Sequence, residues 1–128
     1  MSNCPFCESR ADENTHLYQD EVCYIILDKY PASEGHLLIV SNGHYKNMME
    51  APDEVVKHMF VVAKNYFRRM WDRMEPVGGS VVTNTGPEHI SHFHIHIIPR
   101  YGNTKTVALP RHSLTPEEEA STRKKLSL

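Results

Sequence analysis

Residues 92–100 read His92-Phe93-His94-Ile95-His96-Ile97-Ile98-Pro99-Arg100, with a histidine at every second position and apolar residues between them. In a strand, successive side chains point to opposite faces, so the three imidazoles line one face while Phe93, Ile95 and Ile97 enter the core. Neighbouring imidazoles then start about 6.6 Å apart and the outer two about 13 Å apart, too far for one metal to take all three. The three rings are therefore expected to have separate roles. Neutral imidazole is a good nucleophile near pH 7 and can attack an electrophilic phosphorus to form a covalent phosphoramidate, while neighbouring rings bind phosphate oxygens and protonate the leaving group. The alternative is metal binding, since alternating histidines on a strand can present two ligands to one ion.

A second chemical group stands at the N-terminus, where Cys4 and Cys7 form a Cys-x-x-Cys pair. Such a pair reads as half a zinc site or as a redox couple. A redox pair should open a helix, whereas Glu8-Ser9-Arg10-Ala11-Asp12 reads as a polar loop, which favours metal. Cys23, inside the apolar run Val22 to Leu27, reads as a small buried hydrophobe.

These groups must be positioned by the rest of a chain of 128 residues, 40% apolar and 23% charged, with a net charge of -2. That length fits one domain over residues 1–128 that buries a core without disulfides. The charge argues against nucleic-acid binding driven by counterion release, and no apolar run approaches the roughly 20 residues of a membrane span. Met1-Ser2-Asn3-Cys4 lacks a basic start and an apolar run, so a cytoplasmic protein is expected.

Short β-branched runs, Val22 to Leu27 and His36 to Val40, read as adjacent strands separated by the turn Pro31 to Gly35. After Pro52, apolar positions from Val55 to Met74 recur at helical spacing until Pro76, which predicts one long amphipathic helix covering a sheet. Ser80 to Thr83 and His92 to Ile98 supply two more strands across the turn-rich Asn84 to Pro87. Thr115 as N-cap, Pro116 and the acids Glu117 to Glu119 start a short C-terminal helix. The expected class is α+β, with an antiparallel sheet of about five strands.

The run His92 to Ile98 resembles the signature of the histidine triad family, His-φ-His-φ-His-φ-φ with φ apolar. Asp28-Lys29-Tyr30-Pro31 followed by Gly35-His36-Leu37-Leu38-Ile39-Val40 is similar to that family's nucleotide-binding segment. The resemblance covers about residues 4–101 and leaves the tail 102–128 unassigned. It implies a nucleotide hydrolase or nucleotidyl transferase acting on a nucleoside phosphoramidate, a purine nucleotide or a dinucleoside polyphosphate. His94 would attack the α-phosphate, His96 would hold its oxygens, and Asn84 would contact the phosphate, with His92 completing the triad. Asp28 would bind the ribose hydroxyls, Phe6 and Ile26 would line the base pocket, and His36 would support the site. A carboxylate suits a ribose diol because it only accepts hydrogen bonds.

In the zinc-carrying branch of that family, the two cysteines join a histidine after the Gly-His strand and the first triad histidine. Here that set would be Cys4, Cys7, His44 and His92, a closed structural zinc site. A homodimer built on the long helix and an edge strand is also implied. One departure stands out: the stretch from Asn84 to His92 is shorter than the family's and lacks its Gly-Gln; Glu88, His89 and Ser91 are the candidates to substitute, with His89 either a phosphate contact or a loop histidine without a task. Two other readings remain open: a nucleotide-binding regulator without turnover, and a metal-binding protein using the histidine cluster.

Overall fold

The computed structural model describes residues 4–102 and 110–127. Five antiparallel strands form one sheet: β1 (Tyr18–Gln19), β2 (Cys23–Leu27), β3 (Leu37–Ser41), β4 (Gly78–Val82) and β5 (His94–Arg100), in the order β1-β2-β3-β5-β4. Three helices accompany it: α1 (Pro5–Arg10), α2 (Asp53–Met74) and α3 (Pro116–Leu126). The α+β class, the five strands, the long helix and the short C-terminal helix agree with the sequence reading. No helix among the described residues is long and apolar enough to cross a membrane.

Strand register sorts the two faces. Ile25 pairs with Ile39 and Ile39 with Ile95, placing an aliphatic row on the face covered by α2, where Met59, Val62, Ala63 and Met70 complete a buried core with Phe93 and Ile97. One residue along, Tyr24 pairs with Val40 and Val40 with His94, so the opposite face carries Tyr24, Leu38, Val40, His94 and His96. Because side chains alternate, a slip of one residue would send the imidazoles into the core. Helix α2 ends where Glu75 turns left-handed at φ 51° ahead of Pro76. The turn from β2 to β3 needs glycine at Gly35, at φ +91°, where the Met74 side chain packs against it.

The N-terminal segment corrects an expectation. Residues 8–10 belong to helix α1 rather than a polar loop. Cys4 is its N-cap, Pro5 its first residue, and Glu8 and Arg10 complement its two ends, all ordinary helix signals. The Cys-x-x-Cys pair does open a helix, so loop geometry is no argument for metal over redox. Strand β5 also starts at His94 rather than His92, yet Phe93 stays extended: its N–H donates to the Tyr45 carbonyl at 2.7 Å and its carbonyl accepts from the Ser41 N–H at 3.2 Å. The C-terminal helix forms as expected, with a reciprocal capping box between Thr115 and Glu118.

A polar knot ties the β1–β2 turn to α2. Asp20 Oδ1 accepts from the backbone N–H groups of Val22 and Cys23 at 2.7 and 2.9 Å, and Oδ2 accepts from the Tyr18 hydroxyl at 2.6 Å and His58 Nε2 at 2.7 Å. Partial burial would raise its pKa, but the bonds from Tyr18, His58, Val22 and Cys23 outweigh it and hold the carboxyl well below the usual range. Its folded pKa is depressed, so its stabilisation is present above the unfolded value near ~4 and is lost as pH falls toward the folded one. Asp20→Ala is expected to cost about 2–4 kcal/mol and to flatten the loss of stability below about pH 4, measured by denaturant melts from pH 7 to pH 3.

Candidate active site and metal cluster

Strand β5 aims His94 and His96 at the face away from α2, with ring centroids 5.0 Å apart. Phe6 of α1 lies edge-on to His94 at 4.7 Å and to His92 at 5.9 Å. Phe6, which the family resemblance assigns to the base pocket together with Ile26, is buried with Leu38 and Val40, and Ile26 is half-buried beside it.

Hydrogen bonds assign the imidazole protons. His94 Nδ1 sits 2.7 Å from the His92 carbonyl oxygen. A carbonyl only accepts, so Nδ1 carries the proton and Nε2 keeps its lone pair. Among the described residues no buried side-chain nitrogen or oxygen goes unpartnered, and Nε2 of His94 has no protein partner, so it opens to the surface. Burial lowers the His94 pKa; the bond to the His92 carbonyl opposes the shift and nearby His89 adds to it. The ring is therefore held neutral and ready to attack.

A second chain of bonds fixes His96. The Ala32 N–H donates to His36 Nδ1 at 3.0 Å, which places the His36 proton on Nε2. That nitrogen lies 2.9 Å from His96 Nδ1 and 3.3 Å from Asp28 Oδ2. His96 Nδ1 therefore accepts, and its proton is on Nε2, available as a donor. Burial, and then His94 and His36, push the His96 pKa down to about 4 against the opposing charge of Asp28. The face thus offers a nucleophilic nitrogen beside a neutral N–H donor. His36 is buried and acts on the site through His96; Asp28 Oδ1 accepts from the Tyr30 N–H at 2.8 Å.

The four cysteine and histidine positions singled out at the sequence level converge. Cys4 Sγ lies 3.2 Å and Cys7 Sγ 3.5 Å from His92 Nδ1, with Cys7 Sγ 3.1 Å and His92 Nδ1 3.1 Å from His44 Nδ1. All four donor atoms fall within 4.8 Å of one another. Bonds of about 2.0 Å to nitrogen and 2.3 Å to sulfur in a tetrahedron would separate ligands by roughly 3.3–3.8 Å, close to what is seen. His92 Nε2 donates to the Ser41 carbonyl at 2.7 Å, which frees Nδ1 for the cluster. This convergence, rather than loop geometry, favours metal over redox.

Two other groupings do not make comparable sites. Asp20, Cys23 and His58 lie together, but burial, then the charge of Asp20, pushes the Cys23 thiol up to about 12, and Asp20 is saturated with donors. Asp28, His36 and His96 share one proton-bearing nitrogen, which makes a relay rather than a ligand set.

The strand-to-strand loop after β4 flanks the triad. The Thr83 hydroxyl donates to the His94 carbonyl at 2.7 Å, so the loop leaves beside His94 and returns at His92. Asn84 and His89 line a cleft there, and His89 Nε2 lies 3.0 Å from Glu88 Oε1. Sequence reasoning missed the relay through Ala32, the Ser41 partner of His92 and the opposite wall of this cleft at Lys46. No residue spacing announces them: the Ala32 bond to His36 depends on the shape of the turn before β3, and the others join distant segments.

A family model described as the HIT domain matches residues 9–103. The chain belongs to the HIT family. Cys4 and Cys7 lie ahead of the matched span. Among HIT relatives, adenylylsulfatase HINT3 of Arabidopsis thaliana is 34% identical over 94% of this chain and 66% of its own length. Adenosine 5'-monophosphoramidase HNT1 of Saccharomyces cerevisiae is 29% identical over 76% of this chain and 62% of its own. The chain spans less than two thirds of either relative. The crystal structure of a HIT family member from Bacillus subtilis superposes with a TM-score of 0.86 at 29% identity, covering 98% of this chain and 96% of that one. A zinc-bound histidine triad protein from Mycobacterium smegmatis gives 0.74 at 27% identity over 94% and 88%.

Proposed function

We propose that this HIT protein is a nucleotide hydrolase or nucleotidyl transferase that works through a nucleotidyl-histidine intermediate on His94. The observation that carries the reading is the 2.7 Å bond from His94 Nδ1 to the His92 carbonyl, which leaves an accessible, unprotonated Nε2. In the first step Nε2 forms a bond to the α-phosphorus as the bond to the leaving group breaks, its electron pair going to the leaving atom. Water or another acceptor then cleaves the P–N bond and restores neutral His94. His96 Nε2–H holds a phosphate oxygen, and fixed donors of this kind stabilise the developing charge, while a leaving amine takes its proton from solvent. Asn84 contacts the same phosphate, Asp28 takes the ribose hydroxyls, and Ile26 beside Phe6 takes the base. The named activities of the two relatives, on an adenylyl sulfate and an adenosine phosphoramidate, suit this chemistry.

Zinc fits the Cys4, Cys7, His44 and His92 cluster as a closed N2S2 set. Its task is structural: it ties α1, and with it Phe6, to the start of β5. A homodimer agrees with the surface, since β4 is an edge strand and Phe60 and Trp71 on α2 are exposed; a solution mass of twice 14.7 kDa checks it.

The deciding experiment is rapid acid-free quenching with an adenylyl sulfate, an adenosine phosphoramidate and a dinucleoside polyphosphate, followed by intact-mass analysis. An added nucleotide mass on His94 is expected. No adduct and no turnover with all three would overturn the reading.

A further inference from the structure

Strand β5 continues to Arg100, beyond its last pair with β3, Leu37 with Ile97. In an antiparallel sheet, alternate residues of a strand turn their backbone groups to alternate neighbours. The Phe93 carbonyl accepts from Ser41 at the end of β3, whereas the Arg100 carbonyl accepts from Val77 just ahead of β4. Ile95, Ile97 and Pro99 therefore face the β3 side as Phe93 does, and at Pro99 that strand has not yet begun. Proline brings no N–H to be satisfied there. Its carbonyl remains, on a fully buried residue, and accepts from the Ser33 hydroxyl at 2.6 Å. Ser33 belongs to the turn between β2 and β3. The Ala32 N–H beside it donates to His36 Nδ1, and the Ser33 carbonyl accepts from the His36 N–H at 3.2 Å. The same turn meets the body at two more points, where the Tyr101 hydroxyl donates to the Glu34 carbonyl at 2.8 Å and Met74 packs against Gly35. Of these three ties, Ser33 is the one that adjoins Ala32.

The Ala32 N–H decides where His36 keeps its proton. Asp28 Oδ2 also favours Nε2, but at 3.3 Å, and from a carboxylate partly open to water, it is the weaker of the two controls. With the proton on Nδ1 instead, His36 Nε2 would accept, His96 would have to carry its own proton on Nδ1, and His96 Nε2 would have no hydrogen to offer a phosphate oxygen. We propose that Ser33 is a positioning residue for catalysis: by tying the β2–β3 turn to the Pro99 carbonyl it aims the Ala32 N–H at His36 and so keeps the His96 proton on Nε2. Its influence passes through Ala32, His36 and His96 in turn. The effect on rate rests on the function proposed above, whereas the proton placement stands apart from it. The effect falls on kcat more than on KM, because a donor to a phosphate oxygen gains strength as charge develops. Asp28, assigned to the ribose, keeps its own tie, since its N–H donates to the His36 carbonyl at 3.0 Å.

The test has a spectroscopic and a kinetic arm, both on the full chain. Long-range proton–nitrogen NMR spectra of the imidazoles tell protonated from bare ring nitrogens, and wild type is expected to show His36 and His96 each protonated on Nε2 and bare on Nδ1. In Ser33→Ala both rings are expected to give signals averaged between the two tautomers. With adenosine 5'-phosphoramidate as substrate, kcat is expected to fall about fivefold, the factor of one neutral hydrogen bond, while KM moves less than about twofold. Ser33→Thr keeps the hydroxyl and is expected to restore both readouts. Ser33 is half-buried in a turn, so folding should survive either change. Unchanged tautomers in Ser33→Ala, or a loss of rate that Ser33→Thr does not restore, overturns the assignment. Averaged tautomers in Ser33→Ala beside a wild type that turns over no nucleotide would uphold the tie and overturn the proposed function instead.

Discussion

His94→Ala is expected to lower kcat/KM for every nucleotide substrate by at least about 10³-fold and to abolish the mass adduct. Removal of a covalent nucleophile forfeits the split of one difficult displacement into two easier ones, and single knock-outs of such groups cost several powers of ten. Nucleotide affinity should change far less, because the floor at Phe6 and Ile26 and the carboxylate of Asp28 remain. Stopped assays with the wild type alongside, plus a binding titration with a nucleoside monophosphate, check both halves. Equal rates in wild type and variant would point to a nucleotide-binding regulator. A smaller loss is expected in His36→Phe, which keeps bulk but removes the N–H that fixes the His96 tautomer.

Removing the metal is expected to have the second large effect. Cys4→Ser should lose bound zinc, and with free metal at a thousandfold over Kd that forgoes about 4 kcal/mol of stabilisation. For a chain of this size such a loss lowers Tm by roughly 10 °C or more. A strong chelator added to wild type should do the same. The site should persist in His94→Ala, because His94 Nδ1 is committed to a backbone carbonyl and His94 is not one of the four clustered ligands. Metal analysis with thermal melts decides it; zinc lost in His94→Ala and kept in Cys4→Ser would move the metal to the triad itself. Because α1 carries both Cys4 and Phe6, a secondary fall in activity is expected in Cys4→Ser even though no reacting atom is touched.

Much of the scaffold is legible in the chain alone. The period-2 alternation from His92 to Ile98 requires one face for imidazoles and one for the core, and β5 obeys it with Ile95 and Ile97 fully buried. The 3.6-residue period from Val55 to Met74 marks α2, although the exposure of Phe60 and Trp71 shows that the apolar stripe is wider than the core it covers. Short elements were harder. The two-residue β1 has too little pattern to register, and the polar run Glu8 to Asp12 masks α1 although Pro5 stands at its first helical position.

By itself, then, the sequence determined the class, the long helix, the histidine face and the candidate ligands, because alternation and helical period are local properties of the chain. Tertiary structure alone decided which imidazole nitrogen is free. The His94 proton is set by a carbonyl two residues away, but the His96 proton depends on His36 across a strand pair and on Ala32 beyond it. It also decided that four ligands from three segments meet within 4.8 Å, and that Lys46 faces the Asn84 loop. Proton placement and ligand convergence arise from contacts between residues far apart in the chain, and side-chain spacing carries no record of them.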